Sequence, residues 1–218
     1  CISAFFSLDS HFHIIHSELL PSLIRVKKRY TYDEVDILLR NEDPLFDSLG
    51  HIASYLEEQR IQKGASAVEK REALAYPLSN GGFRLIQIDE QSPARKLVGE
   101  MMVLYNCCVA DFARAQGLPF PYRVQDPPHE DPIPAVPEGP ARDYLLRVRL
   151  KRSLVQQTPS KHSGLGVDAY AQVSSPIRRY LDLACQRQLI GHWYEGKPFY
   201  TAGQLQDLME SLEAPLSR

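Results

Sequence analysis

Residues 168–191, DAYAQVSSPIRRYLDLACQRQLIG, set two serines, a proline and two adjacent arginines where a helix is predicted to begin. Ser175 suits the N-cap, Pro176 the first helical position, where its missing N–H costs nothing, and Gly191 the position just past the end. The unpaired amides of a first turn and the positive end of the helix dipole attract an anion, and Arg178 and Arg179 lie close enough to grip it. The pattern reads as a phosphate clamp. The alternative is a surface ion pair, because Asp182 follows Arg178 by four residues. Two cations at the positive end of a dipole do not serve stability alone.

A second candidate is Glu100. It lies in a predicted helix capped by Ser92, opened by Pro93 and closed before Gly117, in which Leu97, Val98, Met101, Met102, Leu104, Tyr105, Cys108, Val109 and Phe112 leave little polar circumference. A carboxylate there must be paired, with Lys96 one turn earlier as the local candidate, or must face a wet cavity. The remaining clusters carry less. His11, His13 and His16 alternate imperfectly and read as surface histidines. His129-Glu130-Asp131 reads as a solvated charge run, and Cys107-Cys108 as core filling.

The elements that must position these groups are legible as patterns. Ile2 to Leu8 and Phe12 to Leu19 read as strands joined at Asp9-Ser10-His11, with a third strand around Leu23 to Arg29. Thr31-x-x-Glu34 is a capping box opening a helix through Arg40, and Pro44 starts a longer helix running to about Gln62. Residues 73–89 read as a hairpin around Gly81-Gly82. Six prolines in 126–140 make a linker or extended arm. Helical patterns return at 141–152, 175–190 and 202–213.

The composition is that of a globular protein: 218 residues, 44% hydrophobic, large enough for a proper core. A net charge of −2 gives no global attraction to nucleic acid, so any such site must come from local clusters of arginine and lysine. Four cysteines without CxxC spacing point away from disulfides and towards a reducing, cytoplasmic compartment. No run of eighteen apolar residues and no signal-peptide pattern occurs, so no membrane partner is expected.

The run Ser174-Ser175-Pro176-Ile177-Arg178-Arg179-Tyr180-Leu181-Asp182-Leu183, with Tyr170-Ala171 before it and Arg187-Gln188-Leu189 after it, resembles the signature of the ribonuclease II (RNB) family of exoribonucleases. Gly164-Leu165-Gly166 fits the glycine-rich loop that commonly precedes it. Tyr30-Thr31-Tyr32-Asp33-Glu34-Val35, Val98-Gly99-Glu100-Met101-Met102 with Asn106, and Pro121-Tyr122-Arg123-Val124 resemble further family blocks in the family's order. The resemblance implies an α+β fold, a mixed or antiparallel sheet flanked by helices. It implies that residues 1–218 are an incomplete RNB catalytic domain with the proline arm 126–140 inside it, lacking the domain's N-terminal part and the C-terminal OB-type RNA-binding domain.

The implied activity is 3′-to-5′ hydrolysis of single-stranded RNA to 5′-mononucleotides, with Mg2+ held by aspartates expected upstream of this chain; no metal ligand is assigned within it. Arg178 would be the catalytic group that stabilises charge on the scissile phosphate. The RNA-binding candidates are Tyr32 and Glu100 at the ribose, together with Ser175, Arg179 and Tyr180. A carboxylate and a phenol beside a 2′-hydroxyl distinguish RNA from DNA. Arg179 either contacts a neighbouring phosphate or supports the helix, and Tyr180 either stacks on a base or packs under the arginines; Tyr32 is otherwise a core tyrosine. The expected partners are single-stranded RNA and the missing N-terminal part of the same domain. The alternative function is a non-catalytic RNA-binding module or scaffold derived from the nuclease fold. Gln125, Gln172 and Gln186 stand where many members have histidine and cannot take up a proton near neutral pH. Val68 stands where some relatives carry a base-stacking aromatic.

Overall fold

The computed structural model describes residues 1–66, 73–79, 81–87, 92–129, 136–137 and 139–213. Val68, Glu130, Asp131 and most of the proline arm lie outside them. Among the described residues helices dominate, accompanied by three separate two-stranded antiparallel pairs. The first pair is β1 (Ile2–Leu8) with β2 (Ile14–Pro21), whose register runs from Ile2 opposite Pro21 to Leu8 opposite Ile14. β2 thus starts two residues later than the pattern suggests, because Phe12 takes a positive φ of 65° in the turn. The predicted third strand does not form. Residues 23–30 have no regular structure and make no backbone–backbone hydrogen bond, since four cations within positions 25–29 leave no alternating apolar face to pair.

Helix α1 (Tyr32–Arg40) carries the capping box in full, with the Thr31 side chain accepting from the Glu34 amide and Glu34 accepting from the Thr31 amide. Helix α2 (Pro44–Gln62) starts on Asp43, whose carboxylate accepts from the amides of Leu45 and Phe46. The hairpin pairs β3 (Ala73–Pro77) with β4 (Phe83–Gln87). Helix α3 (Pro93–Ala115) is capped by Ser92, as its sequence predicts. Its N-terminus takes a second cap across the fold: Asp36 of α1 accepts from the Ser92 hydroxyl at 2.7 Å and from the Ala94 amide at 2.8 Å. α3 is less enclosed than its composition suggests, because Val98 and Met102 face outward.

β5 (Tyr122–Val124) pairs with β6 (Leu154–Gln156), and α4 (Pro140–Arg149) lies between them in sequence. A 3₁₀ turn, Ser163–Leu165, precedes the long segment into α5 (Tyr180–Glu195), followed by α6 (Ala202–Glu213). The core is built where α3 and α5 meet that segment: Val109, Ala110 and Ala113 pack with Phe120, Tyr122, Ala171, Val173, Cys185 and Leu189. Among the described residues no helix is long and apolar enough to cross a membrane.

Candidate nucleic-acid interface

The arginine turn differs from its predicted form. α5 begins at Tyr180, with Arg179 as N-cap in an extended conformation, and ends at Gly196 in the left-handed region. Ser175 and Pro176 therefore do not open the helix, and Gly191 does not close it. The cause is Asp182. Its carboxylate accepts from the Ser175 amide at 2.8 Å, and from Arg179 Nε at 2.9 Å and Nη2 at 2.7 Å. Pulling Ser175 onto the first turn of α5 forces the chain between them into a turn, closed by the Arg178 and Arg179 amides donating to the Ser175 carbonyl. Gly191 is instead buried, its Cα face against the backbone of Lys197 and Phe199.

The two arginines thus part company. Arg179 is turned inward onto Asp182, which is 1% exposed, and its Nη2 also reaches the Ser174 hydroxyl at 3.5 Å. The pair is Arg179–Asp182, three residues apart and buried on the acid's side, in place of the predicted surface pair with Arg178. Arg178 is exposed, and its guanidinium makes no hydrogen bond or ion pair among the described residues. Tyr180 is exposed too, with its hydroxyl 3.4 Å from that of Tyr200 and the Arg187 guanidinium 6.0 Å from its ring centre. A cleft of about 320 Å3 runs beside this turn, lined by Arg123, Gln172, Arg179, Tyr180 and Asp182.

Glu100 is 7% exposed and needs a partner, which proves not to be Lys96. Arg60 of α2, forty residues away in sequence, grips it bidentately: Nε donates to Oε2 at 2.9 Å and Nη2 to Oε1. Arg60 Nη1 also donates to the Leu165 carbonyl at 3.0 Å, so one guanidinium ties α2, α3 and the 3₁₀ turn together. Burial alone would lower the Arg60 pKa, but the hydrogen bond and charge of Glu100 prevail and hold it above its ordinary value. Lys96 pairs loosely with Glu57 instead, at 3.9 Å. Glu100 borders two clefts, one of about 270 Å3 towards Gly166–Ala169 and one of about 350 Å3 between α1, α2 and α3. Tyr32, at the first position of α1, is exposed with the Arg95 guanidinium 4.2 Å from its ring centre. Arg95 stands five residues before Glu100 on α3, roughly 7.5 Å along the axis.

Asn106 joins the two groups of candidates. Its Nδ2 donates to Tyr170 Oη at 3.0 Å, and its Oδ1 accepts from the Val173 amide at 3.2 Å, fixing the segment that enters the arginine turn onto the helix that carries Glu100. Arg60 and Asn106 are the positioning residues that local sequence reasoning does not assign. The buried Glu100 signals that a cation must exist, but nothing local says which.

Of the three glutamines at histidine positions, Gln172 lines the cleft beside the arginine turn and the other two are structural. Gln125 bridges the Lys151 carbonyl and the Gly164 amide, and Gln186 donates to the Val173 carbonyl at 2.9 Å. His13 is exposed and bonded to Asp9, whose carboxyl it holds down at about 2. The four cysteines are free, and burial pushes the Cys107 thiol up to about 12, which suits core filling. Magnesium requires several converging oxygen ligands. Among the described residues no three His, Cys, Asp or Glu side chains form such a group, and Glu100 and Asp182 are each occupied by an arginine. The described residues do not fit the ion.

Comparison with known proteins places the fold in a family. The profile of the RNB domain matches residues 1–138 and 133–195. An uncharacterized ribonuclease of Synechocystis is 32% identical over 201 residues, covering 89% of this chain and 30% of that protein. The chloroplastic/mitochondrial ribonuclease II of Arabidopsis thaliana is 30% identical, covering 88% of this chain and 25% of its own length. The chain therefore spans no more than about a third of these curated relatives. Among solved structures, Mycoplasma genitalium RNase R in complex with ribose-methylated single-stranded RNA superposes with a TM-score of 0.77 at 19% identity, over 94% of this chain and 39% of that one. Yeast Ssd1, described as a pseudonuclease, superposes with a TM-score of 0.70 at 17% identity, over 97% of this chain and 32% of that one. These two likenesses concern the fold alone. With the profile spanning most of its length and an extended match to a ribonuclease, the chain belongs to the RNB family.

Proposed function

We propose that this chain supplies the RNA-facing part of a hydrolytic exoribonuclease that shortens single-stranded RNA from its 3′ end and releases 5′-mononucleotides. The observation that carries the reading is the unpartnered Arg178 guanidinium, presented on a turn that Asp182 and Arg179 lock from behind. A free guanidinium on a fixed backbone needs little reorganisation to donate paired hydrogen bonds as negative charge builds on a phosphate. Arg178 takes that catalytic role. Arg179 and the Ser175 backbone hold the turn, and Tyr180, exposed beside the cleft, offers a face for a base. Tyr32, steadied by Arg95, and Glu100 read the ribose. Arg60 occupies two of roughly four acceptor positions on the Glu100 carboxylate, leaving the others for a 2′-hydroxyl. In this reading any magnesium is held by residues outside those described.

The test is made in the whole protein with end-labelled single-stranded RNA. Arg178→Ala is expected to slow single-turnover release of mononucleotides by about a hundredfold or more while leaving most of the RNA affinity in place. Turnover close to that of the unaltered protein removes Arg178 from the chemistry. Salt-sensitive binding with no degradation by the unaltered protein, in the presence of magnesium, selects the non-catalytic binding module instead.

A further inference from the structure

The segment between β2 and α1 contributes no hydrogen bond to the arginine turn or to the Arg60–Glu100 pair. Its sequence, Leu23-Ile24-Arg25-Val26-Lys27-Lys28-Arg29-Tyr30, places four cations in five residues of a chain whose net charge is −2. All eight residues are exposed, without regular structure and without a backbone–backbone hydrogen bond. Arg25, Lys27 and Arg29 make no hydrogen bond or ion pair among the described residues. Lys28 lies 4.4 Å from the centre of the Tyr30 ring, and Tyr30 meets Phe46 edge-on at 5.2 Å. Glu34, the neighbouring acid, has its Oε2 turned to the Thr31 amide and hydroxyl.

Such a cluster is self-repelling, and the charge of Glu34 reaches Lys28 but not Arg25, Lys27 or Arg29. Solubility does not explain it either, because Leu23 and Val26, at 101% and 75% exposed, are interleaved with the charges. Cations close together in one exposed segment, mixed with apolar and aromatic faces, are the composition of a single-strand track: the cations meet phosphates and the rings or aliphatic faces meet bases. The segment runs directly into α1, where Tyr32 carries Arg95 on its face.

We propose that Arg25, Lys27, Lys28 and Arg29 form a phosphate-tracking strip that holds the backbone of single-stranded RNA and leads it to Tyr32. This rests on the function proposed above and adds to it a binding surface distinct from the arginine turn. The strip acts on affinity, and Arg178 on the rate of the bound strand.

The experiment measures binding of a fluorescein-labelled homopolymeric single-stranded RNA to the whole protein in EDTA, from about 50 to about 200 mM salt. In the variant carrying Arg25→Gln, Lys27→Gln, Lys28→Gln and Arg29→Gln together, affinity at the middle of that range is expected to fall roughly tenfold or more. The slope of log K against log salt should become shallower by about 2 to 3, near 0.7 per lost contact. Exchanging the same arginines for lysine and lysines for arginine retains most of the slope. An unchanged slope in the neutralised variant, or an equal change when Arg84, Arg152 and Lys197 are neutralised instead, overturns the strip while RNA binding itself stands. Failure of the unaltered protein to bind the RNA overturns the proposed function and the strip with it.

Discussion

Arg179 and Asp182 are joined by two hydrogen bonds, Nε to Oδ1 at 2.9 Å and Nη2 to Oδ2 at 2.7 Å, and the same carboxylate accepts the Ser175 amide at 2.8 Å. Three donors thus converge on one buried acid, and the backbone of the arginine turn is set by them. The neighbouring Arg178 contributes nothing to that network. Stability and proposed chemistry are therefore divided between adjacent arginines.

That division predicts opposite outcomes for neighbouring substitutions. Asp182→Ala leaves the Ser175 amide and the Arg179 guanidinium without their acceptor, and breaking a buried pair costs about 3 to 5 kcal/mol. Arg179 keeps some solvent contact, so the low end of that range is expected in denaturant unfolding. Arg178→Ala should change stability by less than about 0.5 kcal/mol, as for a surface position. Equal losses in the two variants would mean that Arg178 supports the fold after all.

The Arg60–Glu100 pair is testable by a double-mutant cycle. Arg60→Met leaves a buried carboxylate unpaired, and Glu100→Gln leaves the guanidinium without its counter-charge; each should destabilise by a few kcal/mol. The two changes together should cost less than their sum, with a coupling of about 1 to 3 kcal/mol in thermal or denaturant unfolding. Simple additivity would show that Glu100 draws its stability from elsewhere.

Most helix starts are legible because each rests on a local signal: Thr31 with Glu34, Pro44 alone, and Ser92 with Pro93 all lie within four residues of the turn they open, and the structure adds Asp43 as the cap before Pro44. Ser175-Pro176 carries the same signal and is overruled, because Asp182, seven residues on, offers the Ser175 amide a charged acceptor and Arg179 neutralises that acceptor's burial. The third strand failed for a different reason: Leu23, Ile24 and Val26 suggest one, but Arg25, Lys27, Lys28 and Arg29 break the apolar alternation that a pairing face needs. The helix predicted from Ser92 to Gly117 holds both Glu100 and Asn106, and α3 spans them. Their partners, Arg60 and the Tyr170–Val173 segment, lie forty and more than sixty residues away, where periodicity carries no information.

His162 gives a pH dependence with a definite sign. It is 8% exposed, sits edge-on to Tyr170 at 5.6 Å, and its Nδ1 has no partner. Burial, with the nearby Arg123 charge adding to it, pushes its pKa down to about 4 from an ordinary 6.5. Between those values the unfolded chain binds a proton that the folded chain refuses, so stability falls as pH drops from 6.5 towards 4 and levels off below. The loss is at most about 3 kcal/mol. His162→Phe removes the proton-binding group from both states, and its unfolding free energy should decline distinctly less over that window. A decline as steep as that of the unaltered chain would assign the acid sensitivity to other groups.

Gly166 and Gly196 share a φ of +66°, which separates backbone strain from crowding. At Gly196 an added Cβ meets nothing within 4 Å, so Gly196→Ala should cost only the left-handed conformation, about 1 kcal/mol. At Gly166 the same Cβ would stand 2.3 Å from the Arg60 carbonyl oxygen and 2.9 Å from the Ala65 amide nitrogen. Those two atoms are hydrogen-bonded to each other at 2.9 Å where α2 ends, so neither can yield without opening that terminus. Gly166→Ala should therefore cost at least about 2 kcal/mol more than Gly196→Ala in denaturant unfolding. Substituting Ala65 by glycine should recover little, because the intruded atoms are backbone. The loss should also reach the proposed ribose site, because displacing the Arg60 backbone pulls its guanidinium away from Glu100 and from the Leu165 carbonyl. Equal costs at the two glycines would show that the loop and α2 move apart freely, and that Arg60 does not depend on this close approach.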